Sequence, residues 1–183
     1  LLSKQGCQLE IVETPWGVYA ATAFTAVPGK SLESFPMTEE LIQGWGKSLG
    51  RLHRLSRDFQ PAGKRRPSYR QHLQWMDDML QALPGEELAR QELTLVSEWL
   101  DSLPQDSESF GLIHYDFETD NVFHDPVTGA YHAIDFDDAV YHWLMMDVTV
   151  SLMSYADETS AEELARAMPA FVAGYRTEHR LDD

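Results

Sequence analysis

The chain has 183 residues, which is enough for one ordinary domain or for one domain and part of a second. Its 30 acidic and 14 basic residues give a net charge of −16, which argues against a nucleic acid or an anionic membrane as its main partner. The single cysteine, Cys7, excludes an internal disulfide and favours a cytoplasmic, reducing compartment. The sequence has no run of about eighteen apolar residues, so no membrane span is expected. An acidic surface of this kind usually serves solubility, and it also suits a cationic substrate.

The first thirty residues predict an antiparallel β-hairpin followed by a loop. Residues 9–14 and 18–27 are rich in apolar and β-branched side chains, and the turn signal Pro15-Trp16-Gly17 separates them. Pro28-Gly29 ends the second of these segments.

Three helices are predicted after this loop. Thr38 is a suitable N-cap for the first helix, because acidic residues follow it in the first turn. Ser68 and Gln71 predict a capping box for the second helix, which runs to residue 83. The third helix is expected over residues 86–103.

Two of the predicted helices contain residues that are unfavourable inside a helix. Gly46 and Gly50 lie within the first helix, where each glycine costs about 1 kcal/mol relative to alanine and permits close packing against a neighbouring helix. Ser160 and Glu163 predict a capping box for the last helix, which Pro169 is expected to kink or divide.

A small hairpin is predicted between the third helix and the last ones. Residues 121–124 and 130–136 are strand-like, and residues 125–129 form a turn between them. Helix is expected to return near Ala139 or later. Segregated runs of strand and helix predict an α+β fold.

Three polar residues around this second hairpin have a spacing that suits phosphoryl transfer. Asn121 lies five positions after Asp116, and Asp135 lies fourteen positions after Asn121, near the end of the second predicted strand. The reaction needs a carboxylate that orients the attacking hydroxyl and accepts its proton, together with oxygen ligands for Mg²⁺. A loop that leads into a hairpin can present Asp116 and Asn121 to one cleft, and the return strand brings Asp135 beside Asn121.

The sequence resembles the aminoglycoside phosphotransferase and choline kinase superfamily at this point. The pattern His114-x-Asp116-x-x-x-x-Asn121, followed by Ile134-Asp135-Phe136-Asp137, is similar to the signature of that superfamily. Residues 24–29, which end in Pro-Gly, resemble its interlobe hinge, and Leu49-Gly50-Arg51-Leu52-His53 resembles its first long helix after the hinge.

The resemblance implies a protein-kinase-like fold with two parts. Residues 1–27 would be a remnant of the N-terminal nucleotide-binding lobe and the hinge, and residues 28–183 would form the mainly helical, catalytic C-terminal lobe. The implied activity is transfer of the γ-phosphoryl group of ATP, with GTP left open, to a hydroxyl group of a small molecule. Aminoglycosides, amino alcohols such as choline, homoserine and sugars all remain acceptors that the resemblance allows.

The resemblance also implies roles for individual residues. Asp116 would be the catalytic base, and Asn121 and Asp135 would bind Mg²⁺. Main-chain groups around Thr25 and Val27 would hold the adenine of ATP.

The sequence departs from the superfamily pattern in several places. Tyr115 occupies a position where the superfamily usually has glycine, and Asp120 stands where glycine commonly precedes the asparagine. A Gly-rich phosphate loop and a strand lysine are not found before the hinge. We therefore expect that much of the N-terminal lobe is missing, that the chain alone is not a competent kinase, and that its uncovered lobe interface favours self-association.

Other interpretations of these residues remain. His114 is expected to be structural, with its imidazole bonded to loop carbonyls. Asp137 suits a metal or a cationic substrate, and it suits equally well a role in holding the turn after the strand. Tyr115, Tyr141 and Trp143 are expected to pack in the core, although an aromatic rim for a cationic or sugar substrate is the alternative.

Two competing functional hypotheses also remain. The Asp135-Phe136-Asp137 segment superficially resembles the Asp-x-Asp of phosphohydrolases that form an aspartyl phosphate, but those enzymes place it after an early strand of a parallel sheet. The second hypothesis is a kinase-like binding or regulatory protein that transfers no phosphate.

Overall fold

Five helices and seven short strands form the part of the chain that the computed structural model describes, residues 1–181. A single 3-10 turn follows the third strand. In chain order the elements are β1 (Glu10–Thr14), β2 (Gly17–Ala21), β3 (Lys30–Ser31), α1 (Glu39–Arg57), α2 (Tyr69–Gln81), α3 (Glu87–Ser102), β4 (Phe110–Ile113), β5 (Val122–Asp125), β6 (Ala130–Ala133), β7 (Val140–Trp143), α4 (Leu144–Glu158) and α5 (Ala161–Tyr175).

The N-terminal hairpin is confirmed, but its second strand is shorter than expected. The antiparallel ladder runs from the pair Thr14 and Gly17 to the pair Glu10 and Ala21. Because β1 begins at Glu10, β2 has no partner beyond Ala21, and residues 22–29 form no regular element.

A three-stranded antiparallel sheet joins the strand after residues 24–29 to the second hairpin, in the order β3-β5-β6. Lys30 of β3 pairs with His124 of β5, and Val122 of β5 pairs with Ala133 of β6. Gly29 is required at the entry to β3: its φ is +89°, and a Cβ there would lie 2.1 Å from the main-chain oxygen of His124. The Pro-Gly at the end of residues 24–29 therefore lies directly against the second hairpin.

The sequence did not reveal the strand pair β4 and β7. Phe110 pairs with Trp143 and Ile113 pairs with Val140, so residues 140–143 form a strand that was not predicted, before helix returns. Helix α4 begins only at Leu144. The segment Val-Tyr-His-Trp has the β-branched and aromatic composition of a strand, and its partner β4 is thirty residues earlier in the chain.

The core is built on the contact between α1 and α5. A Cβ on Gly46 would lie 2.0 Å from the main-chain oxygen of Phe171, and one on Gly174 would lie 1.9 Å from that of Gln43. The glycines on both helices thus allow their backbones to touch, as the sequence predicted for Gly46. Pro169 does not divide α5, which is continuous from Ala161 to Tyr175.

The buried side chains of this core come from both halves of the chain, so the helices and the second hairpin share one apolar centre. The fully buried apolar residues of the largest cluster include Leu32, Trp45, Leu49, Phe117, Val122, Phe171 and Tyr175.

None of the helices within residues 1–181 has the length and apolar character needed to cross a bilayer.

Candidate active site

The loop between β4 and β5, residues 114–121, carries the candidate base and one candidate metal ligand. The side-chain amide of Asn121 donates hydrogen bonds to the carboxylate of Asp116 at 2.8 Å and to its main-chain oxygen at 3.1 Å. The two side chains are in direct contact, which is consistent with the prediction that this spacing presents both of them to one cleft. One carboxylate oxygen of Asp116 is bonded to Asn121, and the other is the atom that could meet a substrate hydroxyl.

His114 joins this loop to the end of β6. Its Nδ1 accepts a hydrogen bond from the main-chain N–H of Asp116 at 3.3 Å, and its Nε2 donates to the main-chain oxygen of Ile134 at 2.8 Å. The imidazole is fully buried, and the ring of Phe136 packs on it with the centroids 4.5 Å apart. The expected structural role of His114 is confirmed.

Asp147 on α4 holds the first half of the loop, and the sequence analysis missed it. Its carboxylate accepts hydrogen bonds from the main-chain N–H groups of His114 at 2.8 Å and Tyr115 at 2.6 Å. The Nε2 of His53 on α1 donates to the same carboxylate at 2.9 Å, and all three side chains of Asp147, His53 and His114 are buried. A carboxylate buried to this degree is stable only when its oxygens are paired, so the network fixes the loop to α1 and α4.

Two serines on α4 hold the second half of the loop. Ser151 donates to the main-chain oxygen of Phe117 at 2.8 Å, and Ser154 donates to the carboxylate of Glu118 at 2.7 Å. Asp147, Ser151 and Ser154 are spaced four and three residues apart, which places them on one face of α4. That face supports the loop along most of its length.

Tyr115 has a left-handed backbone conformation, with φ of +71°. A left-handed conformation costs a non-glycine residue about 1–2 kcal/mol, and such strain persists only where the surroundings enforce it. The hydrogen bond from its N–H to Asp147 is part of that enforcement. Glycine adopts a positive φ without this strain, which gives a physical reason why glycine is usual at this position in the superfamily that the sequence resembles.

Asp135 lies beside Asn121, at the end of β6. The main-chain N–H of Ile134 donates to the main-chain oxygen of Asn121 at 3.0 Å, so the next residue, Asp135, leaves the strand next to the asparagine. Asp135 has φ of +57°, which explains why β6 ends at Ala133 rather than at the expected Phe136. The carboxylate of Asp135 is exposed and accepts a long hydrogen bond from the N–H of Asp137, at 3.4 Å.

The donor set suits Mg²⁺ rather than a metal that needs a closed protein cage. The side-chain nitrogen of Asn121 is bonded to Asp116, which leaves its amide oxygen as the atom that can face a cation. One amide oxygen and one carboxylate, supplemented by phosphate oxygens and water, would be a normal set of ligands for Mg²⁺. Within residues 1–181 no group of three or more His, Cys, Asp or Glu side chains is arranged to hold a metal ion.

The electrostatic environment of Asp116 is unfavourable for its charged form. Burial raises the pKa of its carboxyl group, and the negative charges of Glu118, Asp120 and Asp138 raise it further, whereas His114 opposes the shift. Positive charge close to Asp116, from a metal ion or a cationic substrate, would restore its tendency to ionise.

Thr25 and Val27 lie in the irregular segment between β2 and β3. Thr25 is exposed and Val27 is half-buried. Gly29, two residues after Val27, touches the backbone of β5, so this segment passes the hairpin that follows Asn121. Their role in holding adenine stays a prediction.

The structure also bears on the remaining alternatives. Asp135 follows an antiparallel hairpin, which contradicts the arrangement expected of an aspartyl-phosphate phosphohydrolase. The main-chain oxygen of Asp137 accepts a hydrogen bond from Arg66 at 2.9 Å, which ties the backbone of this turn to the segment before α2. Trp143 packs between Tyr69 and Phe110 as expected for the core, whereas Tyr115 is only partly buried.

Comparison with known proteins gives consistent matches. The sequence model of the phosphotransferase enzyme family matches residues 7–182. Amicoumacin kinase of Bacillus subtilis (strain 168) is 26% identical in an alignment that covers 91% of this chain and 51% of that protein. The chain thus spans about half the length of the curated relative that it matches.

Solved structures show the same fold. An amicoumacin kinase in complex with AMP-PNP, Ca²⁺ and Ami superposes with a TM-score of 0.81 at 24% identity, over 100% of this chain and 56% of the other. A microcompartment-associated aminopropanol kinase superposes with a TM-score of 0.74 at 23% identity, over 100% of this chain and 59% of the other. These likenesses confirm the predicted α+β, kinase-like fold.

Proposed function

Because the chain belongs to the phosphotransferase enzyme family, we propose that the protein containing it transfers the γ-phosphoryl group of ATP to a hydroxyl group of a small molecule. The contact between Asp116 and Asn121, 2.8 Å apart and next to Asp135, is the observation that carries the proposal. In the reaction a bond forms between the acceptor oxygen and the γ-phosphorus, and the bond from that phosphorus to the oxygen bridging the β- and γ-phosphates breaks. Asp116 orients the hydroxyl and accepts its proton.

Three further elements of the chain serve this reaction in the proposal. Asn121 and Asp135 hold Mg²⁺, which neutralises charge on the phosphates when it is bound. The main chain at Thr25 and Val27 holds the adenine. The network of Asp147 and His53 keeps the loop in place, so that Asp116 does not move during the reaction.

The names of the similar proteins support a small hydroxyl compound as the phosphoryl acceptor, but they do not choose one compound. Proteins named for amicoumacin and aminopropanol kinase activity share the fold, and both names support a small hydroxyl compound. Aminoglycosides, amino alcohols, homoserine and sugars remain within the proposal. The finer expectation that these 183 residues alone do not turn over ATP depends on the lack of a Gly-rich phosphate loop in the sequence.

Substitution of Asp116 in the protein expressed from its complete gene tests the proposal. Asp116→Asn keeps the size of the side chain and a polar contact to Asn121 but cannot accept a proton, so turnover should fall by roughly 10²-fold or more while the affinity for ATP changes little. ADP release, measured with a coupled assay, and ATP binding, measured by calorimetry, give the two values. Equal turnover of the Asp116→Asn variant and the parent would favour the competing hypothesis of a kinase-like binding protein.

A further inference from the structure

The loop that carries Asp135 is exposed and has a strained backbone. Residues 135–138, called the Asp135 loop below, are all open to solvent. The left-handed conformation of Asp135 is one that a non-glycine residue keeps only where its surroundings enforce it. Inside the loop, the carboxylate of Asp135 has only the long hydrogen bond from the N–H of Asp137. The direction of this carboxylate therefore depends on what holds the loop from outside.

Two contacts hold the Asp135 loop from outside. The ring of Phe136 packs on the buried imidazole of His114. The Nη1 of Arg66 donates a hydrogen bond to the main-chain oxygen of Asp137 at 2.9 Å. Within residues 1–181, no other side chain from outside the loop forms a hydrogen bond with it. Loss of Arg66 would thus leave the second half of the loop without a support.

The segment of residues 65–68, which carries this arginine, is itself held to the strand that follows the loop. The main-chain oxygen of Pro67 accepts a hydrogen bond from the N–H of Tyr141 at 2.9 Å, and Ser68 pairs with Tyr141 in a parallel bridge. The guanidinium of Arg65 lies over the ring of Tyr141, 4.0 Å from its centroid. Ser68 is also the N-cap of α2, with a complete capping box. The support is therefore anchored to two elements of regular structure.

The charge of Arg66 alone would act against a cation at Asp135. A positive charge beside a cation site repels the cation, so removal of the charge by itself would tighten binding. A contribution of Arg66 to the metal site must then come from its hydrogen bond to the loop. The two effects have opposite signs, which makes them separable by experiment.

We propose that Arg66 is a positioning residue for the metal site: its bond to Asp137 keeps Asp135 in the left-handed conformation, and so keeps the carboxylate of Asp135 beside Asn121. Arg66 acts through the loop and does not touch the metal ion itself. The inference rests on the proposed function, in which Asn121 and Asp135 hold Mg²⁺. It adds to that site a residue that lies 71 positions before the one it contacts.

Calorimetry with AMP-PNP, an ATP analogue whose γ-phosphoryl group is not transferred, tests this in the protein expressed from its complete gene. The affinity for AMP-PNP is measured in EDTA and at rising concentrations of Mg²⁺. Partners bonded directly to metal ligands typically change metal affinity about 10–100-fold, and Arg66 acts two residues away, so Arg66→Ala should need about three- to tenfold more Mg²⁺ for the same gain in affinity. The affinity in EDTA should equal that of the parent.

Two variants separate position from charge. Lys64→Ala removes the same charge from an exposed side chain two positions earlier and should leave the Mg²⁺ requirement unchanged or slightly lower. Arg66→Lys keeps the charge and a donor and should bring the requirement back toward the parent value. A lower Mg²⁺ requirement in Arg66→Ala, or an equal increase in Lys64→Ala, would overturn the proposal. The melting temperature of Arg66→Ala should stay close to that of the parent, because the side chain is exposed.

The same measurement distinguishes failure of this inference from failure of the proposed function. Asp135→Asn should also raise the Mg²⁺ requirement, and an unchanged requirement in this variant would overturn the inference at its premise. The expected pattern without phosphate transfer to any acceptor would count against the proposed function and support the role of Arg66. Transfer by the parent, combined with equal Mg²⁺ requirements of the parent and Arg66→Ala, would leave the function intact and overturn the inference.

Discussion

Asp147 connects the stability of the molecule to the geometry of its candidate active site. It lies in the first turn of α4, is fully buried, and accepts hydrogen bonds from two main-chain N–H groups of the loop and from His53. Tyr175 lies 2.7 Å from the other nitrogen of His53, and burial together with Asp147 raises the pKa of its hydroxyl, which keeps it protonated as a donor. Four elements are thereby fixed around one carboxylate.

The substitution Asp147→Asn should destabilise the chain strongly. The amide keeps the shape but removes the charge and replaces one acceptor oxygen with a donor, so at least one of the buried N–H groups that bond to Asp147 loses its acceptor. The expected loss is about 3–5 kcal/mol in the free energy of unfolding, measured with urea. The control Glu108→Gln removes the exposed ion pair with Arg57 and should cost less than about 1 kcal/mol. Similar losses for both variants would contradict the role assigned to Asp147.

His142 should make the stability of the chain depend on pH. Burial lowers the pKa of its imidazole, and its Nδ1 accepts a hydrogen bond from the main-chain N–H of Trp143 at 2.9 Å. Below about pH 6.5, the ordinary value, the unfolded chain binds a proton that the folded chain does not bind. Stability should therefore fall as the pH drops from 7.5 toward 5.5.

The measurement is the free energy of unfolding at several pH values for the parent and for His142→Gln. The variant should lose less stability than the parent over this range, while the remaining dependence includes His72, whose pKa burial also lowers. Identical pH dependence of parent and variant would show that His142 does not contribute. Between pH 7.5 and 8.5 the imidazole of His142 is neutral in both states, so this interval serves as the internal control.

At the scale of secondary structure, the close contact between α1 and α5 fixes the position of α1. Backbone atoms of the two helices approach at Gly46, where no side chain fits. Helix α1 also carries His53, which is bonded to Asp147. A shift of α1 relative to α5 would therefore also displace the loop of residues 114–121.

The substitution Gly46→Ala should destabilise the chain in spite of the better helix propensity of alanine. The added Cβ would lie 2.0 Å from the main-chain oxygen of Phe171, which cannot rotate away. Overpacking costs about 1–3 kcal/mol or more, whereas the gain in propensity is about 1 kcal/mol. Gly63→Ala, where no atom lies within 4 Å of the added Cβ, is the control and should change the melting temperature little. A more stable Gly46→Ala variant would refute this account.

The elements predicted well from the sequence are those that local residues specify. The N-cap of α1 is present, with the hydroxyl of Thr38 accepting from the N–H of Leu41 at 3.4 Å, and the capping boxes at Ser68 and Ser160 are both formed. These signals involve residues at most four positions apart, so one sequence is enough to read them.

The elements predicted poorly depend on distant partners. Strand β7 exists because β4 pairs with it, and the early end of β6 reflects the backbone conformation of Asp135 beside Asn121. Asp147 looked like an ordinary residue at a helix start, because its partners His53 and His114 are far away in the sequence. The spacing of Asp116 and Asn121 is local, which is why their position in one cleft could be predicted and the network that supports the loop could not.

At the scale of the whole molecule, the negative charge and the exposed apolar surface have opposite effects on association between chains. The net charge is −16, while the N-terminal hairpin exposes Ile11, Val18 and Trp16, the last of them 85% exposed. The hairpin has only two strands, and both of its edges are free of other strands within the part of the chain that is described. Association between chains is therefore favoured by apolar contacts and resisted by charge repulsion.

We expect the 183-residue chain to associate with itself more strongly as salt is added. Repulsion extends over about 30 Å at 0.01 M salt but only about 3 Å at 1 M, whereas apolar contacts are not weakened by screening. Sedimentation velocity at low and high salt should show the average mass rising with ionic strength. In the double variant Ile11→Thr with Trp16→Ser this rise should be much smaller, because two exposed apolar groups of the hairpin are removed. Val127→Thr, at an equally exposed site on the other hairpin, is the control for a general loss of apolar surface. A chain that stays monomeric at every salt concentration would show that charge repulsion is not what limits contact between these surfaces.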